Sequence, residues 1–135
     1  MDIKKLLIEI INKLFKIGGY DYGSGSVSSI NGSGDWVGLG ASKTLQPGKY
    51  ILSGYCSFSA NSSGIRGIQW YNFSSESVIS ASTSVTQNTG GYMTYLNTST
   101  LIEVGSQPAT YGLRARQNSG SYLDVSSYYK IMRIA

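Results

Sequence analysis

The chain has 135 residues and a formal charge of +4, from 11 Lys and Arg against 7 Asp and Glu. It has no histidine and a single cysteine, which excludes His-based catalytic triads, zinc centres built on His or several Cys, and an intrachain disulfide. The 41% apolar residues are too many for a disordered linker, and 17 Gly with 11 Tyr read as an all-β domain of short strands and tight turns.

Residues 1–17 are a different material from the rest. Ile3, Leu7, Ile10, Leu14 and Ile17 recur at steps of four and three, a heptad seam with Leu at the a positions and Ile at the d positions. That choice favours trimers or tetramers over dimers. Glu9 and Lys13 form an i,i+4 pair, and Asp2 suits the helix N-terminus. Gly18-Gly19 then stops the helix. Three settings suit such a helix: a self-associating bundle, a membrane-surface helix using Lys4, Lys5, Lys13 and Lys16, or packing on its own domain or another protein. The seam favours the bundle. Interrupting charges and the lack of a small-residue cleavage site argue against a secretory signal, and the same charges argue against a membrane span.

Residues 18–34 hold six Gly and five Ser and read as a flexible tether or a loose edge strand. The body, 35–135, follows as a succession of short strands. Trp36 to Leu39 and Lys43 to Leu45 come first, then a Gln46-Pro47-Gly48-Lys49 turn. From Tyr50 onward Leu52, Cys56 and Phe58 share one face, and Ile51, Ser53, Tyr55 and Ser57 the other. Later runs cover 65–73, 77–86, 92–104, 109–117 and 121–126. Turns are expected at Ser74-Ser75-Glu76, at Gly105 to Pro108 and at Ser126 to Tyr128, with a last strand at 128–134. About eight strands at intervals of roughly 8–12 residues indicate a jelly-roll sandwich.

The chemistry of catalysis finds no footing here. Outside the helix, Asp21, Asp35, Glu76, Glu103 and Asp124 are spread singly, with no close carboxylate pair of the kind glycoside hydrolysis uses. No GxSxG elbow and no GK[ST] phosphate loop occurs. Cys56 has the phase of Leu52 and Phe58 and reads as a buried, inert thiol. The expectation is a non-enzyme with no catalytic residue, no metal and no cofactor. The scattered basic residues give no nucleic-acid stripe.

The run Leu45-Gln46-Pro47-Gly48-Lys49-Tyr50-Ile51-Leu52-Ser53-Gly54 resembles the strand opening of complement and tumour-necrosis-factor-like jelly rolls in their bacteriophage versions. Further pieces match in order: 59–68, 101–105, 112–120, 123–127 and the closing Tyr129-Lys130-Ile131-Met132-Arg133-Ile134. The resemblance covers about residues 35–135. Gly54 and Cys56 depart from the animal family, where bulkier residues are common. The resemblance implies a ten-strand jelly roll assembling as a homotrimer, one sheet facing the threefold axis and containing the strands at 65–73, 109–117 and 128–134. Their outward residues Gln69, Tyr71, Arg114 and Arg116 are then expected at subunit contacts, with Glu103 as a counter-ion.

Alternating strand direction, counted from Trp36, puts Ser75, Glu76, Gln107 and Tyr128 at the tip far from the helix, as a ligand-binding set. The expected object is a phage fibre, tail or spike knob that binds a host-surface polysaccharide. The alternative is a capsid or tail decoration protein of head-fibre type, with the helix docked on another virion protein. Either would reside in the virion.

Overall fold

The structure is a computed structural model that describes residues 2–14, 19–87 and 90–135. One helix, α1 (Ile3–Leu14), precedes a β-sandwich. Asp2 caps it: the backbone N–H groups of Lys4 and Lys5 donate to Asp2 Oδ1 at 3.0 and 3.3 Å, satisfying donors that a helix start leaves open.

Among the described residues the body has nine strands: β1 (Tyr20–Ile30), β2 (Val37–Leu45), β3 (Gly48–Phe58), β4 (Ile65–Asn72), β5 (Ser77–Val78), β6 (Ser84–Gln87), β7 (Thr94–Val104), β8 (Ala109–Gln117) and β9 (Leu123–Arg133). They form a four-stranded sheet in the order β1-β9-β3-β7 and a five-stranded sheet in the order β2-β8-β4-β5, with β6 also on β4. Every pairing is antiparallel. The chain crosses between sheets at most connections, and the architecture is the expected jelly roll.

Between the sheets lies one core. Leu52, Cys56 and Phe58 from β3 meet Ile68 and Trp70 from β4, Leu113 and Ala115 from β8, and Val125 and Ile131 from β9. Trp70 packs edge-on against Tyr129 across the sandwich, with centroids 5.9 Å apart. The Tyr129 hydroxyl donates to Ser42 O at 3.2 Å, so its polar end is satisfied.

Four readings need correction. Of the tether and edge-strand readings of residues 18–34, the edge strand holds for 20–30: they are β1, at the edge of its sheet and paired with β9 from Tyr20↔Met132 to Val27↔Val125. Their glycines pack rather than flex, so the body begins near Tyr20 and not at 35. Ser126 to Tyr128 is no turn, because β9 runs unbroken through it, with Ser127 and Tyr129 facing inward. The 36–39 and 43–45 pieces join as β2 through an irregularity between Gly38 and Ser42, where Gly40 sits at φ 73°, a conformation glycine adopts freely. Finally, β4 and β8 lie in the five-stranded sheet and β9 in the other. The strands at 65–73, 109–117 and 128–134 therefore cannot form one axis-facing sheet. The crossover between Gln117 and Leu123 separates them.

Candidate functional site

Three surfaces carry chemistry that the core does not use. The first is α1. Every residue from Asp2 to Ile11 is exposed, with Ile3 at 70% and Ile10 at 42%. The seam residues Ile3, Leu7 and Ile10 are therefore not buried on the domain. The described helix runs to Leu14, and Ile17 lies outside the described residues.

The second surface is the outer face of the four-stranded sheet. Alternation sends Tyr20 and Tyr22 of β1, Tyr128, Lys130 and Met132 of β9, Ile51 and Tyr55 of β3, and Tyr95 and Leu101 of β7 outward. Tyr55 packs between Tyr95 and Tyr128, at 6.1 and 5.1 Å between centroids. Desolvation, with the neighbouring Tyr95 and Tyr128 phenols, raises the Tyr55 pKa. The Lys130 ammonium lies 3.7 Å from the Tyr20 centroid, a cation–π contact that occupies it within the sheet. Tyr128 thus belongs to an aromatic sheet face rather than to a loop.

The third surface, the outer face of the five-stranded sheet, gathers the residues expected at a subunit contact. Gln69 stands opposite Arg114, Gly67 opposite Arg116 and Tyr71 opposite Gly112. The Arg114 guanidinium lies 4.1 Å from the Tyr71 centroid and that of Arg116 5.1 Å from Trp36. Phe73 packs edge-on to Tyr71 at 4.9 Å. Trp36, which holds Arg116, was missed in the sequence, where it read only as a strand residue.

The ends of the sandwich are reversed from expectation. β1 starts at the helix end with Tyr20, and it pairs with Met132 near the end of β9. Gln46-Pro47 joins β2 to β3 at this same end, where Lys49 N–H donates to Ala135 O at 3.0 Å. Thr110 N–H donates to Ser74 Oγ at 2.8 Å, which places the 74–76 turn there too, with the 105–108 turn beside it. Ser75, Glu76 and Gln107 therefore sit at the base. The cause is parity: β1 adds a strand before Trp36 and inverts every later direction. A cleft of about 280 Å³ also opens at the base, lined by Asp21, Lys43, Gln46, Tyr50 and Arg133 among others.

The distal end is built by 31–36, 59–64, 118–122 and the described part of the β6–β7 connection, 90–93. Two buried polar side chains organise it. The Arg66 guanidinium donates to Ser63 O at 2.8 Å, Ile65 O at 3.2 Å and Asn61 O at 3.2 Å. Gln117 Nε2 donates to Ile30 O at 2.8 Å and Ser121 O at 2.6 Å, while its Oε1 accepts from Ser119 N–H at 2.9 Å. Asn118 Oδ1 accepts from Ile65 N–H at 2.6 Å. The 31–36, 59–64 and 118–122 segments are tied to one another, with Tyr122 left 67% exposed above them. A sequence signal existed for both organisers: Arg66 is in phase with Ile68 and Trp70, and Gln117 with Leu113 and Ala115, so each is a polar residue on a core face at a strand end.

Cys56 is fully buried, and desolvation pushes its thiol up to about 12. Among the described residues no three of His, Cys, Asp and Glu cluster as metal ligands. No described helix is long and apolar enough to cross a membrane.

No protein-family profile matches the chain, and no curated protein matches it in sequence. Solved structures do match in fold. The globular domain of zebrafish complement 1qA protein superposes with a TM-score of 0.56 at 8% identity, over 84% of this chain and 97% of that one. A chain of the T13 infectious bursal disease virus particle gives 0.55 at 14% identity, over 84% of this chain and 31% of that one. The Gx strain of the same virus gives 0.53 at 15%, covering 84% and 32%. The chain thus spans nearly all of the complement domain and about a third of the viral chains. At these identities the likeness establishes the fold, a jelly roll of complement or viral type.

Proposed function

We propose that this chain is a self-associating structural jelly roll of a phage virion, a homotrimeric knob whose distal end engages the host surface. The observation that carries the reading is α1, a heptad helix whose described seam residues Ile3, Leu7 and Ile10 are bare. A helix this short is marginal alone in water, so copies of the same helix are its natural cover. The aromatic face of the four-stranded sheet supports the same reading, because Lys130 is held internally by Tyr20 and Lys49 stands opposite Glu103 across the β3–β7 ladder, which leaves the tyrosine cluster at its centre free of charge. The virion setting draws on the sequence resemblance over residues 35–135 and on the fold. The role is binding rather than catalysis.

The test is the mass of the full chain by light scattering, beside a Leu7→Asn, Ile10→Asn variant. The expected result is three times the 14.5 kDa chain mass for the parent and a smaller species for the variant. A parent that runs as a monomer at micromolar concentration would overturn the reading.

A second reading, a decoration protein with no receptor, is favoured by the distal loops satisfying one another's polar groups. Pull-down of host cells by the purified protein separates the two. The knob reading expects capture that is lost on changing Tyr122, whereas the decoration reading expects none and instead a virion protein bound through α1.

A further inference from the structure

We propose that the outer face of the five-stranded sheet is a binding site for a carboxylated polysaccharide, clamped by the guanidinium groups of Arg114 and Arg116. The proposal goes beyond the host-surface reading above, since it assigns a ligand site to a different face from the distal loops.

Arg114 and Arg116 are successive outward residues of β8, so their attachment points lie roughly 7 Å apart along the strand. Each guanidinium is fixed by an aromatic ring, Tyr71 at 4.1 Å and Trp36 at 5.1 Å. Stacking holds the planar fork and leaves its edge donors available. Both Nε atoms are buried and have no hydrogen-bond partner. Among the described residues neither arginine has an ion pair.

Gln69 faces Arg114 across the β4–β8 ladder and is only 2% exposed. Its Oε1 accepts from Thr83 Oγ1 at 3.2 Å, which leaves Nε2 as a third buried donor without an acceptor. Buried donors are ordinarily satisfied. Three orphaned donors lie beneath one patch, and the terminal Nη groups of the two guanidinium forks above them are cationic donors suited to a ligand that brings only acceptors.

A carboxylate meets a guanidinium fork through two parallel hydrogen bonds. Carboxylates repeating along a chain would engage both forks at once. The apolar flanks fit a sugar. Phe73 sits over Gly38 and Gly112, and Val85 beside Gly67; both side chains are exposed and offer surface to the C–H faces of pyranose rings. An acidic peptide would more readily add to a sheet edge through its backbone, whereas these donors are side chains on a face.

The test uses the full chain and two probes, polygalacturonate and a neutral dextran of similar length, with binding measured by calorimetry. The parent is expected to bind polygalacturonate more weakly as salt rises and not to bind dextran. Arg114→Gln with Arg116→Gln should weaken polygalacturonate binding by about tenfold or more. Arg114→Lys with Arg116→Lys, which keeps the charge but not the fork, should fall between, and serves if the Gln variant fails to fold.

Failure of the parent to bind polygalacturonate, or equal binding by parent and both variants, overturns the site. So does a change in oligomer mass in the variants, which would make this face a subunit contact. Equal binding of a linear polyphosphate would overturn the carboxylate assignment. Host-cell capture is scored separately. Capture retained without polygalacturonate binding sinks this site and leaves the host-surface reading standing. Polygalacturonate binding without capture does the reverse.

Discussion

Arg66 shows how one residue can hold an end of the molecule. It lies on the core face of β4, fully buried, and three carbonyl oxygens from the 61–65 loop surround its guanidinium. Hydrogen bonds to a charged group contribute more than neutral ones, and their loss strands the acceptors. Arg66→Ala should therefore cost about 3 kcal/mol, read as a fall of roughly 10 °C in Tm. A loss below about 1 kcal/mol would mean that the loops hold without it.

Cys56 makes a separate residue-scale prediction, about pH. Its folded pKa lies near 12, and burial also raises those of Tyr50, Tyr111 and Tyr129. In each case the unfolded chain ionises first. The stabilising contribution is therefore complete below about pH 8.5, the ordinary thiol range, and is lost as pH climbs toward the folded values. Denaturant midpoints should hold steady from pH 7 to 8 and fall through pH 9 to 11. At pH 8.5 the native thiol should react with iodoacetamide roughly a thousandfold more slowly than in the unfolded chain. Reaction at the unfolded rate would show that Cys56 is not sealed.

At the scale of elements, β1 is the test case. Gly and Ser in alternation carry almost no hydrophobic signal, so residues 20–30 look like linker by composition. Their role is set by the neighbours. A Cβ on Gly25 would meet Leu39 O at 2.2 Å, and one on Gly23 would lie 2.2 Å from the Tyr129 ring. These glycines let β1 approach β2 and the Tyr129 ring closely, and no local pattern announces a contact made 100 residues away. β3, β4 and β8 were legible because large apolar residues alternate in them. The four residues on the outer five-stranded face were correctly placed on outward positions for the same reason. The base turns were recognised but assigned to the wrong end, since one unseen strand reverses the parity.

Gly25→Ala should destabilise by about 2 kcal/mol through overpacking against backbone. Truncation makes the sharper contrast. Deleting 2–17 should leave the sandwich folded, with Tm within a few degrees of the parent. Deleting 2–34 should remove β1, bare the β9 edge and give an aggregating chain. A soluble, cooperatively melting 35–135 fragment would return residues 20–30 to the status of linker.

For the whole molecule the question is what joins the copies. The heptad segment, Ile3 to Ile17 in the sequence, is about two heptads long, close to the ~12–15-residue limit of helix stability in water, so it is a weak clamp by itself. The outer face of the four-stranded sheet supplies a broader surface, centred on the Tyr55, Tyr95 and Tyr128 cluster. Aromatic residues of this kind concentrate interface energy where water is excluded. If both surfaces meet copies of themselves, each should matter, and the sheet face should matter more.

Tyr55→Lys with Tyr128→Lys places like charges at the centre of that face without touching the core, since both side chains point outward. The variant should melt near the parent's Tm per chain yet dissociate to monomers at low micromolar concentration, even with α1 intact. Loss of α1 alone should weaken the assembly by a smaller factor, measured as the concentration at which scattering mass falls by half. A trimer that survives both tyrosine changes but not removal of the helix would invert this ranking. It would make the jelly roll a passenger on a three-helix stem, each knob exposing its own tyrosine face to solvent.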